Sequence, residues 1–70
     1  MLDINEAIVK IRQAGSGSVR SVPMKGENAL SGKYQIEILD HGSWVAIAGG
    51  MNRKMCEDVV SQALNRVILG

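Results

Sequence analysis

The chain predicts an α+β fold: a small two-layer domain in which an antiparallel three-stranded sheet carries N-terminal and C-terminal helices, in the order α-β-β-β-α. Three observations carry that prediction. Apolar residues recur at spacings of three and four towards both ends, they alternate with polar ones in the middle, and glycine-rich or polar turns separate these segments. Seventy residues make one domain at most, residues 1–70, and a chain this short buries only about 60% of the surface it exposes unfolded.

The first helix is read from "LDINEAIVKIRQAG". Asp3 has a carboxylate that can accept from free first-turn amides, and Glu6 follows three positions later in a box-like arrangement. Ile4, Ala7, Ile8 and Ile11 form one apolar stripe, Lys10 and Arg12 lie near the negative end of the dipole, and Gly15 is the natural stop. The next stretch, "SGSVRSVPMKGENALSG", has no clear period and holds the only proline. It reads as a connector with one short strand near Val19 to Val22.

In "KYQIEIL", Tyr34, Ile36 and Ile38 alternate with Lys33, Gln35 and Glu37, the period of a half-buried strand. "DHGS" supplies turn chemistry and "WVAIA" a second, mostly apolar strand, so the two pair as an antiparallel hairpin. After Gly49-Gly50 the period changes. Asn52 is a good helix cap, and Met55, Cys56, Val59, Val60, Ala63, Leu64 and Val67 make a broad stripe that can cover the inner face of a small sheet.

Composition removes several function classes. A net charge of +1 gives no general field for nucleic acid, acidic membrane or acidic substrate, although local patches remain open. No apolar run approaches the 18 or so residues needed to span a bilayer, so no membrane insertion by this chain is expected. A single cysteine excludes an internal disulfide, and one cysteine with one histidine does not make a structural zinc site. No metal and no cofactor is expected. With no Phe, one Trp and one Tyr, the core must be aliphatic, and association is the remaining support for so small a fold.

The stretch "GGMNRKMCEDVV" invites three readings. As a phosphate cradle it offers glycine, helix-start amides, Arg53 and Lys54, but it lacks the Gly-x-x-x-x-Gly-Lys-Ser/Thr order. As a nucleophile site it places Cys56 near a positive helix end beside Lys54. As architecture it is a strand-to-helix corner where glycine permits the bend, Arg53 and Lys54 are solvated, and Cys56 packs as a small hydrophobe in the stripe. The architectural reading is preferred. His41, the only candidate general base, falls in the hairpin turn, and Glu57 and Asp58 diverge by about 100° on a helix. Met51 and Met55 are either an adaptable contact surface or gap-filling core, and Trp44 either core or interface.

The α-β-β-β-α order with "GMNRK" at the start of the last helix resembles a double-stranded RNA-binding domain, in which lysines at that helix start grip phosphates. A resemblance covering more of the chain runs from Asn28 to Gly70. There "ENALSGKYQIEILDHGSWVAIAGGMNRKMCEDVVSQALNRVILG" resembles the C-terminal part of the globular head domain of type IVb pilins. Asn28 and Gly32 stand at the first turn, Tyr34 to Leu39 in the first strand, and Trp44 at the aromatic start of the second. Gly50 stands at the corner and Cys56 as the helix cysteine, with Val59, Val60 and Leu64 packing that helix onto the sheet and "VILG" beginning a further strand. In the family that cysteine has a disulfide partner; here Cys56 has none.

The expected function is therefore a noncatalytic protein-protein interaction or assembly module, pilin-like in its closest resemblance, that self-associates or holds a protein partner. Its expected contact residues are Trp44, Met51, Arg53 and Lys54. The alternatives are a nucleic-acid binder using Arg53, Lys54 and Lys33, a phage-type regulatory or inhibitor protein, and a thiol-dependent activity at Cys56. A pilin-like head implies an extracellular or periplasmic setting, and a complete small gene product a cytoplasmic one.

Overall fold

A computed structural model describes residues 2–25 and 32–65. Its elements are helix α1 (Ile4–Ala14), a 3-10 turn (Ser16–Ser18), strands β1 (Val19–Pro23), β2 (Tyr34–Asp40) and β3 (Ser43–Met51), and helix α2 (Arg53–Leu64). The three strands form one antiparallel sheet in the order β1-β2-β3. This is the α-β-β-β-α arrangement of a small α+β domain.

Both helices begin and end where side-chain chemistry directs. Asp3 Oδ1 accepts from the Glu6 amide at 2.9 Å, and Asn52 Oδ1 from the Met55 amide at 2.8 Å, so each cap satisfies a donor that the helix cannot pair internally. α1 stops at Gly15, whose φ of +87° suits glycine and whose amide returns to the Ile11 carbonyl. α2 stops at Asn65, in the left-handed region at φ +56°.

Register places the core. Ile36 in the central strand stands opposite Ser21 on β1 and Ala48 on β3, and it is fully buried. Around it gather Ala7, Ile8 and Ile11 from α1, Ile47, Ala48 and Met51 from β3, and Cys56 and Ala63 from α2. Fully burying an isoleucine such as Ile11 or Ile36 contributes about 1.5–3 kcal/mol, so a few side chains hold most of the layer contact. The stripe expected on α1 loses Ile4 to solvent, and that on α2 loses Met55. Both lie on first turns.

The two helices lie on the same face and end at the same end of the sheet. Arg12, in the last turn of α1, donates its Nε to the Ala63 carbonyl in the last turn of α2 at 2.9 Å. That is the end at which the hairpin joins β2 to β3, since the residues flanking α1's last turns across a shallow groove are Leu39, Asp40 and Val45.

The expected glycine corner is corrected here. Gly49 and Gly50 lie inside β3, which continues to Met51 and pairs it with Tyr34. Between those pairs and Ile36–Ala48 the ladder shifts register, leaving an extra residue on β3, and Gly50 accommodates it with φ +75°. The Gly50 amide donates to the Met24 Sδ at 3.2 Å. The turn into α2 is left to Asn52 alone. Asn28, Val67 and the rest of "VILG" lie outside the described residues.

Candidate functional site

Cys56 is fully buried within α2, in the core cluster. Burial pushes its thiol above the ordinary value, because a thiolate there would lose its hydration. Contact with the Ser21 side chain partly offsets this, and Glu57 adds to it. A nucleophilic cysteine needs the opposite shift together with access to substrate. His41 is 95% exposed in the hairpin turn, φ +51°, with Nδ1 at 2.9 Å from Asp40 Oδ1. The imidazole thus stands at the hairpin end, and the turn of α2 that bears the thiol follows the opposite end of β3. They are not brought together.

The helix start offers little to a phosphate. Its Met55 amide is taken by Asn52, the Gly50 amide by the Met24 sulfur, and Arg53 Nε is held by Glu57 Oε1 at 3.1 Å. Glu57 and Asp58 follow Arg53 and Lys54 within two turns, which cancels most of the local positive field. Among the described residues no group of three or more His, Cys, Asp or Glu side chains could hold a metal ion.

Of the four expected contact residues, Met51 is 6% exposed and packs in the core; its partner across the ladder, Tyr34, explains why. Arg53 and Lys54 are exposed at the start of α2. Trp44 sits at the far end of β3, at the hairpin, so the four residues do not form one surface.

What does gather is apolar side chains at the hairpin end. On the face turned away from the helices, Leu39 and Trp44 are direct cross-strand partners and are 38% and 37% exposed. On the opposite face Val45 is 43% exposed, at the mouth of an open groove of about 500 Å³. Lys10, Gln13 and Ala14 of α1 form its far wall. Apolar surface therefore wraps round the strand ends.

The Trp44 ring is fixed by a polar chain across the sheet. The Arg20 guanidinium carbon lies 4.1 Å from the ring centroid, while its Nε donates to Glu37 Oε1 at 2.8 Å and Gln35 Nε2 donates to Glu37 Oε2 at 2.7 Å. Burial alone would raise the Glu37 carboxyl, but the hydrogen bonds from Arg20 and Gln35, with the nearby positive charges of Arg20 and Lys25, outweigh it and hold the group below its ordinary value. An exposed cation over an aromatic face contributes about 0.5–1 kcal/mol. The contact ties the indole to the Arg20–Glu37–Gln35 chain while Trp44 and Leu39 stay 37% and 38% exposed.

Sequence reasoning missed Arg20, Glu37, Leu39 and Val45 as members of this site. The signal was present in "LDHGSW": a two-residue turn, His41-Gly42, pairs Asp40 with Ser43 and so makes Leu39 and Trp44 the next cross-strand neighbours. No protein-family model matches the chain, and no curated protein or solved structure matches it. Among the described residues, no helix is long and apolar enough to cross a membrane.

Proposed function

We propose that this chain is a noncatalytic protein-contact module that works by surface complementarity, through the hairpin end of its sheet. One observation carries the reading: Leu39, Trp44 and Val45 are all large, apolar and more than a third exposed, and they adjoin one another at one end of the fold. Aromatic and apolar side chains held rigid and half-exposed suit an interface anchor, because little conformational entropy is lost when a partner covers them. The buried thiol, and the histidine at the other end of the sheet from it, support a role without turnover. A pilin-like head domain is the finer form of the proposal, supported by the sequence likeness from Asn28 to Gly70 and by the order of hairpin and cysteine-bearing helix.

The test pairs association with fold. The double variant Leu39→Ser, Trp44→Ser is expected to keep the far-UV circular dichroism of the parent and to lose about 1–2 kcal/mol of stability in urea, through the lost cross-strand and cation contacts, while staying folded. It should lose self-association in sedimentation and partner capture in pull-downs. Unchanged association would refute the reading. Binding of duplex RNA that weakens steeply with salt would replace it with the nucleic-acid alternative.

A further inference from the structure

We infer that the edge of β3 between Ser43 and Ala46 is where a second copy of this chain adds its own β3, antiparallel, making one six-stranded sheet across a twofold axis. This rests on reading the hairpin end as a protein-contact surface, and it names the partner.

The argument starts from the backbone. Among the described residues β3 pairs with β2 alone, so alternate amides and carbonyls along it point away from the sheet. Farther along, that outer edge is engaged: the Leu2 amide donates to the Ile47 carbonyl at 3.0 Å. From Ser43 to Ala46, nothing among the described residues bonds to it. The ladder there is also regular, with Ser43, Trp44, Val45 and Ala46 opposite Asp40, Leu39, Ile38 and Glu37, the register shifts falling only beyond Ala46. The chemical complement of a regular strand edge is another strand.

Edge strands are ordinarily guarded by charge, proline or irregularity. The other edge, β1, carries Arg20 and Pro23. β3 reads SWVAIAGGM, nine residues with no charge and no proline. Two copies of β3 can meet without like-charge repulsion, whereas two copies of β1 would lack a donor at each proline.

Self-pairing also fits the side chains. Opposed residues in antiparallel strands share a face, so a twofold axis at Val45 sets the two Val45 side chains against each other and each Trp44 against the other copy's Ala46, and the pairing ends there, because Ser43 would next meet Ile47, whose carbonyl already accepts from Leu2. A large ring thus meets a methyl group. Pairing over so few residues buries less than the roughly 1,200 Å² of the smaller specific interfaces, so the dimer should depend on concentration.

The experiment is sedimentation of the whole chain across a concentration series, with amide hydrogen exchange at each concentration. The expected result is a monomer–dimer equilibrium in which amide protection rises with concentration between Ser43 and Ala46 and nowhere on β1. Val45→Lys places a charge on the edge at an already half-exposed position, so it should leave the urea midpoint near that of the parent and weaken dimerisation about tenfold or more. A dimer indifferent to Val45→Lys but lost in Leu39→Ser, Trp44→Ser would overturn the edge pairing while sparing the broader reading. A strictly monomeric parent would overturn it too. So would a monomeric parent that dimerises only when shortened to end at Asn65, because the edge would then belong to the chain's own last residues.

Discussion

Labelling of Cys56 by a thiol reagent gives a direct measure of how the core is held. The sulfur is fully buried, with Ser21 of β1 beside it and the helix backbone around it, so no reagent reaches it from the folded state. Cys56 lies in the first turn of α2, where its amide bonds to the Asn52 carbonyl at 3.1 Å, but its side chain belongs to the core cluster, so reaction requires α2 to separate from the sheet. In a domain of 70 residues that separation removes the core, at a free energy close to that of global unfolding, about 3–5 kcal/mol for a fold this small. At about 1.4 kcal/mol per factor of ten, labelling of the native protein should be about 10²- to 10⁴-fold slower than in concentrated urea. The assay is the absorbance change with an aromatic disulfide at pH 8. The logarithm of the rate should rise linearly with urea from zero denaturant, with a slope close to the equilibrium m-value. A native rate within about tenfold of the unfolded one would refute the buried placement of the thiol. A rate independent of urea below the midpoint would refute the coupling of its exposure to unfolding.

Three further outcomes are expected. Ile36→Val should cost about 0.5–1.5 kcal/mol and Ile36→Ala about 2–5 kcal/mol, the latter enough to unfold much of the population, with an unchanged m-value for the valine variant in urea titration. Asn52→Ala should cost about 1 kcal/mol by leaving the Met55 amide without its acceptor, and Asn52→Asp should restore most of it, both read from thermal midpoints. Glu37 is held below its ordinary carboxyl value in the fold, so its contribution is present at neutral pH and down to the unfolded-state value, then lost as pH falls through the folded one. Melting of the parent and Glu37→Gln from pH 7 to pH 3 should show the two curves converging in acid; parallel curves would contradict the assigned shift.

Much of the architecture was legible because local chemistry and periodicity agreed. Asp3 with Glu6, the stop at Gly15, the alternation from Tyr34 to Ile38 and the Asn52 cap each marked an element without help from the rest of the chain. What escaped depends on pairing. Gly49-Gly50 reads as a break because glycine has weak strand propensity, but a ladder with an extra residue on one side makes use of a positive φ, and the strand runs on to Met51. Met51 looked like a surface contact for the same reason. The site was legible only at Trp44. Its neighbours Leu39 and Val45 come from the register of the hairpin, and Arg20 comes from a third strand, so their meeting is not written in any local window.

The link between Arg12 and the Ala63 carbonyl spans 51 positions of sequence and joins the first helix to the last. During synthesis, α1 leaves the ribosome with Ala7, Ile8 and Ile11 uncovered, and the sheet that follows supplies only part of their shelter until residue 63 emerges. Folding is thereby postponed to the end of translation of this segment. A nascent chain stalled before α2 would show its apolar stripe to chaperones, and would settle only on release.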